Sequence, residues 1–297
     1  MVISADPILL ESGPAHAAIS PRGAEPVAWR VRDVPLLWTV DPAWWARTAP
    51  VLFPVVGWSR DGHVRIDGVR RPMPVHGFAP AAGFDVVEQA ADRVRLELTD
   101  GPATRASYPF RFRLSVEWHL SADRLAAVVT VGNPGNRPLP FAVGLHPGFC
   151  WPLAGAPRAG HRVRFARPER AEVPVIAPGG LFSDRRRPVP IAADGVLELD
   201  DRLFASEALC FLDAASRRMR YENGRGQAII VDAPDFPHVV LWSRPGAPFL
   251  SVESWTGHGD PEGFAGELCE RPSIRLLAPG ASVHHRACWL WEEGSGP

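Results

Sequence analysis

The 297-residue chain contains no lysine: all 32 of its cationic side chains are arginine. That excludes a lysine Schiff base and a lysine-based grip on phosphate. With a formal net charge of −1 there is no cationic field to hold nucleic acid or an anionic membrane. Cys150, Cys210, Cys269 and Cys288 show no C-x-x-C spacing, which argues for free thiols rather than a zinc site or a disulfide frame. No apolar run is long enough to cross a bilayer, and the stretch from Met1 to Pro14 lacks the basic start and apolar core of a secretory signal. A Gly-rich phosphate loop and a dinucleotide fingerprint are also missing. These absences predict a soluble, cytoplasmic protein.

What the chain does have is period-two alternation. Phe110, Phe112, Leu114, Val116, Trp118 and Leu120 alternate with Arg111, Arg113, Ser115, Glu117 and His119, which predicts a long strand with one buried side. The polar bend Ser121–Arg124 and the apolar run from Leu125 to Val131 complete a hairpin. Val94, Leu96 and Leu98 alternate just upstream, and Asp67-Gly68 sits between two short runs as a two-residue hairpin turn. Helical patterning is weak, and 32 prolines interrupt every long window; one short helix is expected around Pro261 to Leu268. Many short strands joined by Pro/Gly/Asp turns predict an all-β antiparallel sandwich. No repeat or linker divides the chain, so residues 1–297 are expected to form one domain. The Pro- and Arg-rich stretch from Arg158 to Pro190 reads as a long surface excursion.

Three segments place a titratable residue inside an apolar, Gly/Pro-shaped stretch. They are Pro74-Val75-His76-Gly77-Phe78, Phe141 to Phe149 around His146, and Phe249 to Gly257 around Glu253. In the third, Leu250 and Val252 share one strand face, while Phe249, Ser251, Glu253 and Trp255 share the other. If the aliphatic face enters the core, Glu253 and Trp255 look out together from the opposite surface. A carboxylate beside an indole suits a sugar, whose C–H face packs on the ring while its hydroxyls meet the acid. In the second segment, Ala142 and Gly144 share a face with His146 and are expected to leave room for a ligand.

The order of these motifs resembles the aldose 1-epimerase (galactose mutarotase-like) family over nearly the whole length. Gly23-Ala24-Glu25, Trp44-Trp45 and Ala49 to Pro54 are similar to its opening. His76-Gly77-Phe78-Ala79, Tyr108-Pro109-Phe110, Gly144-Leu145-His146-Pro147 and Trp242 through Gly257 follow in sequence. The resemblance implies a large antiparallel β-sandwich, the galactose mutarotase-like supersandwich, with an open groove across one sheet. It implies Glu253 as general base and His146 as general acid, with His76, Trp255 and Trp242 around the sugar and Asp201 (or Asp200), before Phe204, as a further contact. Such a pair would open the ring by taking the C1 hydroxyl proton and protonating the ring oxygen from different sides of the ring, with no metal and no organic cofactor. Two positions depart from the family pattern. Trp58 stands where relatives usually carry an arginine, for which Arg60 or Arg47 are the candidate substitutes, and Ser254 stands where they usually carry proline.

The expected partner is therefore a small-molecule sugar, a hexose or a sugar phosphate, bound by a monomer or homodimer. Two alternatives accompany the free-hexose reading: a hexose-6-phosphate 1-epimerase, and a non-catalytic carbohydrate-binding or sensor protein on the same scaffold. Arg185-Arg186-Arg187 is the run that would favour a phosphate, although a solvated loop is the commoner fate of such a run. His284-His285 does not read as a metal site, because adjacent strand residues face opposite ways.

Overall fold

The computed structural model describes residues 6–294. Its architecture is nearly all antiparallel β. The larger layer is a nine-stranded sheet whose middle strands are Ser282–Glu292, Arg124–Gly132, Arg113–Ser121 and Arg93–Thr99. The expected hairpin is there, running in register from Arg113 opposite Gly132 to Ser121 opposite Arg124. Leu114, Val116, Trp118 and Leu120 point inward beside Leu125, Ala127, Val129 and Val131, and all are buried. The ladder begins at Arg113 rather than Phe110. Phe110 and Phe112 keep the alternation but are held by an aromatic cluster with Phe53, Phe78 and Tyr108 instead of a neighbouring strand.

The second layer is a six-stranded sheet that forms the floor of the cavity described below. Its path runs Leu209–Phe211, His238–Trp242, Phe249–Trp255, Gly144–Leu145 and Val51–Leu52, with Gly148–Cys150 also pairing onto Phe249–Trp255. Leu250 and Val252 of its central strand join the main core, where Phe149 meets Trp289 of the larger sheet at 5.5 Å between ring centres. Face-to-face packing of two sheets whose inner side chains interdigitate is the sandwich arrangement.

Three local expectations are corrected. The stretch from Pro261 forms no helix until a single 3₁₀ turn at Leu268–Glu270: Pro261 bridges to Phe182, Glu262 N–H donates to the Phe182 carbonyl, and Gly263 has φ +81°. Backbone donors spent across the chain and a left-handed residue leave no helix to build. Among the described residues the α-helix is Pro102–Ser107, with proline at its first position. The stretch from Arg158 to Pro190 contains a strand of the large sheet, Arg162–Phe165, and a hairpin, Glu172–Ala177 with Leu181–Pro188. That hairpin roofs part of the cavity. Arg187 therefore belongs to a strand, not a solvated loop, and its guanidinium donates to the Glu207 and Ala208 carbonyls.

Candidate active site

The central floor strand reads Phe249-Leu250-Ser251-Val252-Glu253-Ser254-Trp255. Alternation sends Leu250 and Val252 into the sandwich and Ser251, Glu253 and Trp255 away from it. Register then selects their neighbours. Gly144 lies opposite Trp255 and Gly148 opposite Ser251, so His146 falls opposite Glu253. The ladder is interrupted there because Pro147 has no N–H to give, and His146 N–H turns to the Pro50 carbonyl at 3.2 Å. Directly opposed strand residues bring their side chains together. His146 Nε2 is 3.3 Å from Glu253 Oε2, and Trp255 Nε1–H donates to the same oxygen at 2.9 Å. On the other flank, Val240 lies opposite Glu253 and Cys210 opposite Val240, giving an apolar continuation of the row.

The sequence placed Glu253 on an open surface, but it is 1% exposed. The reason is the roof, which comes from segments distant in the chain. Phe182 of the hairpin packs in one cluster with Trp255, Val240 and Cys210. Trp45 stacks on His146 at 4.7 Å, and Trp242 meets the same imidazole edge-on at 5.5 Å. The cavity above them is half open to solvent and holds ≈ 640 Å³, the size of a small-molecule site. Gly144, expected with Ala142 to leave room for a ligand, is instead covered by protein: a Cβ there would meet Trp255 Cδ1 at 2.9 Å.

His76 arrives on the loop after the Val69–Pro72 strand with φ +64°, anchored by its own N–H to the Gly57 carbonyl at 3.0 Å. Gly77 beside it must be glycine, since a Cβ would lie 2.1 Å from the Phe53 carbonyl oxygen. The Gly57 N–H donates to His76 Nδ1 at 3.2 Å, which leaves the ring proton on Nε2 as a donor. Its ring stands 5.4 Å from that of His146 and 5.8 Å from that of Trp255. Burial pulls His76 down to about 4. Burial, reinforced by His76, also holds His146 well below the usual imidazole value. Glu253 is pushed well above the usual carboxylate value by burial, partly offset by the Trp255 N–H. Both directions favour a pair with no net charge, the form that a dry site tolerates.

His76, His146, Trp242, Glu253 and Trp255 thus converge, while three further candidates do not join them on equal terms. Arg47 lines the cavity, but its guanidinium is engaged by the Pro80 carbonyl at 2.6 Å and by Glu25. Arg60 lines a separate surface depression: its backbone N–H is clamped by Asp260 and its guanidinium donates to the Phe264 carbonyl. Asp201 is paired with Arg158 at 2.5 Å and Asp200 caps the turn at Arg202, so neither lines the cavity; Phe204, Ala205 and Glu207 of the same segment do. Sequence reasoning missed Trp45 as a site residue, although the Trp44-Trp45 pair was visible. It also missed Ser251, whose shared face with Glu253 was visible but whose partner was not.

Trp58 borders the cavity and is 47% exposed. Its ring lies on Gly180 of the roof hairpin, where a Cβ would come within 1.9 Å of Cδ1. Behind it a buried ion pair, Arg271 Nε to Asp260 Oδ1 at 2.9 Å, ties the frame together. Arg271 also donates to the Trp58 carbonyl, and the Phe182 N–H donates to the Asp260 carbonyl. Among the described residues no group of three or more His, Cys, Asp or Glu side chains is placed to share a metal ion, and no helix is long and apolar enough to cross a membrane.

Known proteins share this fold. A galactose mutarotase related enzyme from Lactobacillus acidophilus superposes with a TM-score of 0.89 at 25% identity, covering 97% of this chain and 98% of its own. A galactose mutarotase-like protein from Lactobacillus casei gives the same score and identity, with 96% and 100% covered. Protein LacX of Lactococcus lactis is 26% identical over 253 residues, 82% of this chain and 85% of that one. A sequence model of aldose 1-epimerase matches residues 6–268, and the chain belongs to the aldose 1-epimerase family.

Proposed function

We propose that the protein interconverts the α and β anomers of a free hexose, with Glu253 as base and His146 as acid. One observation carries this reading: the two groups are 3.3 Å apart, at the floor of a half-open cavity of sugar size. The oxygens that must exchange protons, the C1 hydroxyl and the ring oxygen, are bonded to the same carbon. A base and an acid side by side, as Glu253 and His146 are, can therefore serve both oxygens at once.

The pair rests with its mobile proton on Glu253; once that proton has passed across the 3.3 Å contact to His146 Nε2, Glu253 takes the C1 hydroxyl proton while His146 Nε2–H gives one to the ring oxygen. The C1–ring oxygen bond breaks and C1 becomes a carbonyl. Rotation about C1–C2 presents the other carbonyl face, and the two transfers run backward to close the ring. Nothing is consumed, and the pair carries one mobile proton before and after. Its net charge is zero with that proton on either partner, so the exchange adds no net charge to the pair. His76 Nε2–H and the indoles of Trp45, Trp242 and Trp255 supply a donor and C–H-binding faces for the sugar.

The arginine run gives no support to a phosphate substrate. Arg187 is committed to carbonyls, and neither Arg185 nor Arg186 lines the cavity. NMR exchange spectroscopy between anomers of several hexoses tests the proposal. Wild-type protein is expected to accelerate exchange, and Glu253→Gln to lose about 10²–10⁴-fold of it, the usual worth of a positioned base. A Gln variant as active as the parent, or no response from any sugar, would overturn the assignment.

A further inference from the structure

We propose that Ser251 is a positioning residue that holds His146 in the tautomer protonated on Nδ1, leaving Nε2 as the atom that trades the catalytic proton. The kinetic part of this inference rests on the anomer exchange proposed above; the tautomer itself does not.

Ser251 is fully enclosed and lies two residues before Glu253 on the same strand face. Its Oγ is 2.8 Å from His146 Nδ1 and 2.8 Å from the Pro147 carbonyl oxygen. A hydroxyl owns one hydrogen, and a carbonyl can only accept. If the hydroxyl donates to Pro147, the remaining contact works only when His146 Nδ1–H donates to Oγ. The reverse arrangement sends the Ser251 hydrogen to Nδ1. It then leaves Pro147, which is buried, with only the Val252 N–H at 3.3 Å. The first arrangement pairs every group and is the one a buried network selects.

Nε2 is then the free position, and it is the nitrogen that faces Glu253. With Nδ1 already protonated, a proton arriving on Nε2 makes the imidazolium that can protonate a ring oxygen, and a proton leaving it restores the neutral ring. The other tautomer would place the free nitrogen against Ser251, where no substrate reaches. The titratable groups that face His146 are Glu253 from the same sheet and His76 from the neighbouring loop; the rest of its ring is covered by Trp45 and Trp242. None of these contacts Nδ1; beside the ring's own backbone carbonyl, Ser251 is the group that sets the tautomer.

Long-range ¹H–¹⁵N correlation on the substrate-free protein labelled with ¹⁵N-histidine reads the tautomer directly. Wild-type His146 is expected to be neutral at pH 7, with Nδ1 protonated and Nε2 bare. Ser251→Ala is expected to move it toward an Nε2–H mixture and to lower kcat by about tenfold, the effect of one buried hydrogen bond, while KM stays within about twofold. Ser251→Thr keeps the hydroxyl and should restore both the tautomer and kcat. Wild-type His146 carrying its proton on Nε2 overturns the proposal whatever the variants do. Ser251→Ala with the parent's tautomer, or with the parent's kcat, overturns it as well. If no sugar is turned over, the exchange reaction falls, and the tautomer measurement still decides the role of Ser251.

Discussion

Gly180→Ala isolates the contact between the roof hairpin and the cavity wall. Gly180 has φ +75°, a conformation that costs an alanine about 1–2 kcal/mol. Its new Cβ would also lie 1.9, 2.4 and 2.5 Å from three atoms of the Trp58 ring. A rigid indole cannot yield at three atoms by a small rotation, so the ring must leave the hairpin. A fully buried tryptophan removes about 150–250 Å² from water, and Trp58 is 47% exposed. Its covered half is then roughly 100 Å², worth at most about 2.5 kcal/mol. The expected loss is at most about 3.5–4.5 kcal/mol. Gly179→Ala is the control: it has φ +81° with nothing within 4 Å of its Cβ, so only the backbone cost of about 1–2 kcal/mol applies. Urea unfolding gives the difference between the two variants. Fluorine NMR of 5-fluorotryptophan protein, with the Trp58 signal assigned through Trp58→Phe, shows whether the ring has moved. Equal stability of the two variants and an unmoved Trp58 signal in Gly180→Ala would refute the packing argument.

Acid should weaken the fold through His238 and His285, which burial pulls from 6.5 to about 4. The unfolded chain takes up these protons below 6.5 while the folded one refuses them, so stability is intact near pH 7 and falls as pH drops toward 4. At 1.36 kcal/mol per pH unit the loss is about 3 kcal/mol for each histidine; unfolding midpoints that do not change between pH 7 and 4.5 would count against it. Glu253 has the opposite sign: its raised value means stability is lost as pH rises through it. Glu253→Gln should therefore hold its melting temperature further into alkali than the parent while exchange activity falls, and a variant that melts earlier at high pH contradicts this. Asp260→Ala leaves Arg271 buried and unpaired, with an expected cost of about 3–5 kcal/mol measured by denaturant unfolding. Because Arg271 also holds the Trp58 carbonyl, KM should rise in the surviving folded protein.

Strand phase was legible in the sequence wherever a strand has one wet or distinct face. It put Leu250 and Val252 inside and Ser251, Glu253 and Trp255 on the other side, and it outlined the hairpin around Ser121–Arg124. Register between distant strands was not legible. Nothing local says that His146 stands opposite Glu253, because that pairing is set by Gly144 against Trp255 and Gly148 against Ser251. The burial of Glu253 was hidden for a related reason. Its roof comes from a hairpin whose alternation is broken by Pro174 and an irregularity before Ile176, so the region looked patternless. Arg60 was one of two candidate substitutes for the arginine that relatives usually carry at Trp58, and the Asp260 clamp that fixes its backbone elsewhere arrives from the far end of the chain.

The central floor strand is gripped on both edges, by His238–Trp242 on one side and by Gly144–Leu145 and Gly148–Cys150 on the other. A single inserted or deleted residue within it would exchange the two faces, burying Glu253 among Leu145 and Phe149 and turning Val252 toward the cavity. Chemistry and core are thus written on alternate letters of the same seven-residue word. The roof is bound by no such rule, since the loops and the hairpin that supply Trp45, Trp58 and Phe182 can change length without disturbing that alternation. The scaffold accordingly separates what must stay fixed from what can be retuned: new sugars are to be sought by altering the roof, with the strand beneath it left untouched.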